Sequence, residues 1–312
     1  AYYFAEKLQR TLNVPVGIIH NAVPGSPIES WLSEKTINSD SLIEQYGEKR
    51  WSDTIDVMVK IGKKQSLINH TDEYTLVTSK NKHPWMPTYN YTNGINPIKN
   101  FTIKGVIWYQ GESNAEHYDF YPHMLSKMVT EWRNDFENDF PFYYVQLSSR
   151  GERPAWPYFR DMQAKMLDSV PNSGMVVISD VGDRDDTHAK NKKPVGERLA
   201  LLALGKTYVK GNNYECPVFD IASKMEDEIT VTFKGEFDGL KTSDGEEVRG
   251  FEISYDGLSY EKVDAYINGS NIVISMLTPG NSFSIRYGWE SYTDANLVSG
   301  SGLPVSTFKY SN

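Results

Sequence analysis

Two patterns in succession predict an α/β domain followed by an antiparallel β module. Up to about residue 212, short apolar runs alternate with helical periodicities, as in a parallel sheet with helices wound on both faces. From residue 213 onward, segments alternate polar and apolar at period two, with Gly-, Asp- and Asn-rich turns between them. The boundary falls at Gly211-Asn212-Asn213, giving domains of 1–212 and 213–312.

Tyr2–Leu12 opens the chain as an amphipathic helix, with Phe4, Leu8 and Leu12 on one face. Residues 14–20, Val-Pro-Val-Gly-Ile-Ile-His, form an apolar run of the kind buried in a parallel sheet, and are read as a strand. Gly105–Tyr109, Phe142–Leu147 and Met175–Ser179 have the same character. Between them, Tyr118–Phe136 places Tyr121, Leu125, Met128 and Trp132 near one helical face, and Tyr158–Leu167 predicts a shorter helix. Val195–Val209 carries Leu199, Leu202 and Ala203 as a buried stripe. Residues 34–100 read as a helical stretch around Ser41–Ile61 and then a Tyr- and Asn-rich loop. In the second domain Glu228–Phe233, Phe251–Tyr255, Asn271–Ser275 and Ser282–Tyr287 alternate as strands. Asp238-Gly239, Asp244-Gly245, Asp256-Gly257 and Asn268-Gly269 are the turns.

Composition narrows the function. A net charge of -9 argues against nucleic acid as a partner, since no basic face is evident to meet a phosphate backbone. No apolar run is long enough to span a membrane as a helix. The single cysteine, Cys216, rules out an intramolecular disulfide and a cysteine-rich metal site. The 20 tyrosines and 7 tryptophans suit both a core and a sugar-stacking cleft.

Three loops concentrate chemistry, each following a predicted strand at the end where open α/β sheets bind ligands. The first is Val23-Pro-Gly-Ser-Pro-Ile-Glu-Ser-Trp31. Pro24 has no N–H, so a backbone donor there is Gly25 or Ser26. In the second, Trp108-Tyr-Gln-Gly-Glu-Ser-Asn114, four polar side chains crowd one strand end, although Ser113 or Asn114 would also serve as an ordinary helix cap. The third is Asp183-Arg-Asp-Asp-Thr-His188. There Asp185 can orient the His188 ring and leave its other nitrogen as a general base. A metal held by His188 with Asp183, Asp185 and Asp186 would need a second histidine at ligand spacing, which is missing. The other histidines, including His123, read as surface or structural residues.

Taken together, these loops resemble the sialate O-acetylesterase family of the SGNH hydrolases. Gly105-Val-Ile-Trp-Tyr-Gln-Gly-Glu-Ser-Asn114 is similar to the family's most specific block. Asp185-Asp-Thr-His188, with Lys193-Pro-Val-Gly-Glu-Arg-Leu-Ala200, is similar to its last block, and Pro15-Val-Gly17 leading to Gly25-Ser-Pro-Ile-Glu-Ser-Trp31 to its second. Phe251-Glu-Ile, Arg286-Tyr-Gly-Trp289 and Gly302-Leu-Pro304 extend the likeness through the β module. The resemblance implies a flavodoxin-like three-layer α/β/α domain and a serine-type hydrolase that removes acetyl groups from sugars, sialic acid foremost, without a cofactor or metal. It implies His188 as base, Asp185 as its orienting acid, and Gly25 and Asn114 as oxyanion donors. Gln110 and Glu112 become substrate-pocket residues.

The sequence departs from the family pattern in two places. Pro24-Gly25 stands where two glycines are usual, and no Gly-x-Ser-Asn nucleophile block precedes residue 14. The expectation is a chain lacking its first strand, whose serine lies in an upstream segment of the same protein, exported or periplasmic like its sugar-degrading relatives. A rival reading makes Ser113 the nucleophile, because Gly111-Glu-Ser-Asn-Ala115 mimics a nucleophile elbow. Another is a carbohydrate-binding protein without catalysis.

Overall fold

The structure, a computed structural model, describes residues 1–44, 84–276 and 282–312. The remainder of the helical stretch expected around Ser41–Ile61 lies outside the described residues. Two compact units emerge: Ala1–His20 with Ile103–Pro122 and Phe140–Asn312, and Asn21–Thr102 with His123–Asp139.

In the first unit a three-stranded parallel sheet runs in the order β1 (Val106–Trp108), β2 (Phe142–Val145), β3 (Ser173–Val176). Every residue of β2 and β3 is buried, and the serine among them, Ser173, donates to Val170 O at 2.6 Å. β1 is an edge strand and only partly buried. The expected helices form: α1 (Tyr2–Leu12), α4 (Trp156–Ser169) and α5 (Lys193–Lys206) belong to the first unit, whereas α2 (Glu34–Ser39) and, from His123 onward, α3 (Tyr121–Asp135) belong to the second. α1 lies so close on α5 that a side chain at Gly196 would come 2.7 Å from Tyr3 Cβ. α5 buries Val195, Leu199, Leu202 and Ala203, the stripe read from its sequence.

One expected strand does not form. Residues 14–20 are irregular and largely exposed, with Val14, Ile18 and Ile19 at 47%, 48% and 51%. An apolar run has strand propensity, but a strand exists only where a neighbour takes its backbone hydrogen bonds. Among the described residues no strand pairs with this run.

The β module is built as expected, with two four-stranded antiparallel sheets among the described residues. Their orders are β4-β5-β10-β9 and β13-β11-β7-β8, where β4 is Val218–Met225, β5 Glu228–Lys234, β7 Phe251–Ser254 and β8 Glu261–Lys262. β9 is Ala265–Asn268, β10 Asn271–Ser275, β11 Ser284–Tyr287 and β13 Phe308–Ser311. β6 (Leu240–Thr242) pairs with β12 (Leu297–Ser299). Ile229, Val231, Ile253, Ile272, Ile274 and Ile285 form one fully buried core, the inward half of the period-two pattern.

The module is tied to the sheet by polar contacts. Arg160 on α4 is fully buried and donates through Nη2 to the carbonyls of Gly288, at 3.0 Å, and Glu290. Burial lowers its pKa to about 9. Cys216 is buried too, its thiol accepting the Val177 N–H at 3.3 Å. Burial pushes that thiol up to about 11, against the lowering effect of the Val177 N–H.

In the second unit Val23–Ser26 closes a turn, Ser26 N donating to Val23 O at 3.3 Å, with Gly25 at φ 72°. Proline followed by a positive-φ glycine is the chemistry of a type II turn. Trp85 packs against Gly25 and donates to Pro24 O at 2.9 Å, so an added Cβ at Gly25 would strike the indole. Ser33 caps α2 by accepting from Thr36 N at 3.1 Å, and Glu131 accepts from Ser33 N at 3.0 Å. Trp132 donates to Trp31 O at 3.1 Å.

Candidate active site

At the carboxyl end of β1 the chain turns at Gly111, whose φ of 152° and contact with the Phe159 ring both exclude a side chain. A 3₁₀ turn, Glu112–His117, follows, begun by Asn114 N donating to Gly111 O at 2.8 Å. The Asn114 side chain is fully buried and fixed by a relay. Tyr121 donates to Gln110 Oε1 at 2.9 Å, and Gln110 Nε2 donates to Asn114 Oδ1 at 2.8 Å. The relay sets which way the Asn114 amide faces, with its oxygen toward Gln110 and its N–H groups on the other branch. Gln110 is therefore an orienting residue for Asn114 as much as a pocket wall.

Glu112 stands at the start of the same turn. Burial raises its pKa, against the lowering effect of its own N–H, His188, Lys192 and the Gly111 N–H. The signature loop and the histidine loop thus share one electrostatic neighbourhood within the first unit.

The histidine loop leaves β3 through a 3₁₀ turn at Ser179–Val181. Side chains fold it upon itself: Asp185 N donates to Asp183 Oδ1 at 3.0 Å, and His188 N to Asp186 Oδ1 at 2.8 Å. Gly151 N donates to Arg184 O at 2.9 Å and ties the loop to the end of β2. The His188 side chain is 82% exposed, and its Nδ1 lies 3.5 Å from Asp186 Oδ1. Asp186, not Asp185, is the carboxylate beside the ring; Asp185 is exposed, and its described contact is through its backbone. The His188 backbone N–H holds the Asp186 carboxyl below its usual range, with His188, Lys190 and Arg150 adding to the effect.

Two residues given no role in the sequence reading, Lys192 and Tyr109, complete this cluster. Lys192 holds its ammonium 5.0 Å from the centre of the Tyr109 ring, a cation–π contact. Burial raises the Tyr109 pKa and Glu112 adds to it, while a hydrogen bond with Ser148 opposes them. Nothing in sequence spacing joins Tyr109 to Lys192; the parallel sheet does. Gly25 belongs to the second unit, and Ser113 is exposed in the Glu112–His117 turn. Among the described residues no group of three or more His, Cys, Asp or Glu is placed to hold a metal, and no helix is long and apolar enough to cross a membrane.

Residues 77–204 match the carbohydrate esterase family described as sialic acid-specific acetylesterase. The chain belongs to that family. The sialate O-acetylesterase of Homo sapiens is 30% identical over 240 residues, which cover 70% of this chain and 40% of that protein. The Mus musculus sialate O-acetylesterase is 28% identical over 235 residues, 68% of this chain and 43% of that protein. A solved carbohydrate acetylesterase from Xanthomonas citri superposes with a TM-score of 0.80 at 30% identity, over 99% of this chain and 64% of that one. The chain thus spans less than half the length of these curated relatives.

Proposed function

We propose that the protein containing this chain is a serine-type esterase that removes O-acetyl groups from carbohydrates, with sialic acid among its substrates. The observation that carries this reading is the buried Asn114 amide oriented by Gln110 at the end of β1, with His188 near enough to act on the charge of Glu112. Family membership supports the same chemistry. His188 takes the proton of a serine hydroxyl as its oxygen attacks the acetyl carbonyl. Asn114 donates to the oxyanion, and the sugar leaves with the proton returned by His188. Water then releases acetate from the serine by the same steps.

The serine comes from a segment outside this sequence. The exposed run Val14–Ile19 and the edge strand β1 support that reading, since each has the backbone and apolar surface that a further strand would cover. Asp185 orients the imidazole in the working enzyme, while Asp186, already engaged by the His188 backbone, shapes the loop.

An acetate-release assay tests this on O-acetylated sialic acid and acetylated xylo-oligosaccharides, comparing this chain with the protein extended upstream. Release by the extended protein alone is the expected result. No release by either discards the esterase. Release by this chain, abolished in S113A, would transfer the nucleophile to Ser113.

A further inference from the structure

We infer that Lys192 receives the carboxylate of an acidic sugar and so sets a preference for anionic over neutral acetylated substrates. The inference rests on the esterase reading above and adds to it the group that selects the substrate's charge.

The argument is one of donors and what claims them. An ammonium carries three N–H donors and no acceptor. That of Lys192 is held over the Tyr109 ring at 5.0 Å, and among the described residues no carboxylate comes within the 4.0 Å of an ion pair. Two carboxylates are close enough to be felt, Glu112 and Asp186, yet each is engaged elsewhere. Glu112 is held by the N–H groups of its own residue and of Gly111, and Asp186 by the N–H of His188. A cation–π contact fixes where the charge stands without consuming its hydrogen bonds. Lys192 is therefore positioned by an aromatic ring, within reach of the same Glu112 that feels His188, with no ion-pair partner among the described residues.

A neutral sugar offers such a group only hydroxyl oxygens, whereas a sugar acid offers a carboxylate and a charge-assisted hydrogen bond. Lys192 is exposed and so open to a ligand. Lys192 immediately precedes α5, so a rigid helix rather than a free loop carries it. Partial desolvation lowers its pKa, with Glu112 and Asp186 opposing.

The test uses the whole protein and two probes that differ by one charge, N-acetylneuraminate and its methyl ester, titrated calorimetrically into wild type, K192M and K192R. Wild type should bind the acid roughly tenfold tighter than the ester, one charge-assisted hydrogen bond discounted for solvent. K192M should erase that ratio, and K192R should keep most of it. Equal affinity of wild type for acid and ester overturns the inference, as does a K192M protein that keeps the ratio. Equal loss of both ligands in K192M also overturns it, because it assigns Lys192 to the framework. Acetate release by wild type from acetylated xylo-oligosaccharides separates the two readings. Release with no acid–ester difference refutes only Lys192, whereas no release from any acetylated sugar removes the esterase and this inference with it.

Discussion

Among the described residues, two acid–histidine pairs look alike on paper and are built for opposite ends. In the second unit, His123 Nε2 lies 3.0 Å from Asp40 Oδ2, and the same carboxylate takes Lys127 at 2.9 Å. Its other oxygen accepts the N–H groups of Leu42 and Ile43, at 3.1 and 3.2 Å. In the first unit, His188 sits 3.5 Å from Asp186 with 82% of its side chain exposed. The tighter pair is the structural one. Asp40 is committed to four donors, two of them the backbone N–H groups of Leu42 and Ile43. Asp186 holds its ring at long range and leaves it room to turn, which a base shuttling a proton between two oxygens requires. Short distance alone is a poor sign of catalysis; the number of other obligations on the carboxylate is a better one.

The sharpest way to break this comparison is to remove each ring in the full-length enzyme. H188A should lower acetate release by about 10³-fold or more, while H123A should stay within about twofold and act on stability instead. The reverse pattern in kcat/KM would make His123 the base.

A smaller effect distinguishes the two carboxylates of the histidine loop. D185N should cost roughly 10²-fold in kcat/KM, and D186N roughly tenfold through a loosened loop. If D186N is the more damaging, the contact at 3.5 Å is the working one.

Stability sharpens the contrast further. Burial works to raise the Asp40 pKa, but Lys127, the Ile43 N–H and His123 outweigh it and hold the carboxyl at about 2. Because the folded value is depressed, this contribution is full above the ordinary carboxylate range and fades as pH falls from about 4 toward 2. D40N should therefore cost about 1–2 kcal/mol at pH 7 in urea unfolding, given its partly exposed partners, with the gap from wild type closing through that acid window. The smallest effect is expected at the other pair, where D186N should leave the Tm unmoved because that carboxylate is solvated. A clear drop in Tm there would show that the histidine loop is as tightly built as the Asp40 cap.

Much of this was legible in the sequence, and the exceptions share a cause. β2 was recognisable because a strand buried on both faces must be apolar, whereas β3 runs Ser173–Val176 and so starts two residues before the expected Met175–Ser179, at a serine that the apolar pattern left out. The module's turns were recognisable because Gly239, Gly245, Gly257 and Gly269 all take positive φ, as their Asp-Gly and Asn-Gly pairs require. Gln110 and Asn114 stood out as polar groups crowding one strand end, and the Gln110–Asn114 bond joins them. Residues 14–20 misled because propensity is local while pairing is not. Lys192 was missed for the same reason, since its partner Tyr109 lies on a distant stretch of chain. The approach of Asp186 to the His188 ring could not be read from spacing, because only a folded loop shows which of two adjacent carboxylates lies beside it.

Cys216 has a practical corollary. Its thiol is fully enclosed and, at about 11, stays protonated at neutral pH, so alkylating reagents should find it inert while the protein is folded. Labelling at that sulfur then reports only on molecules in which the seam between β3 and the β module has opened. The native chain thus carries its own clock for that motion, and a second cysteine placed anywhere on the surface can be tagged without competition.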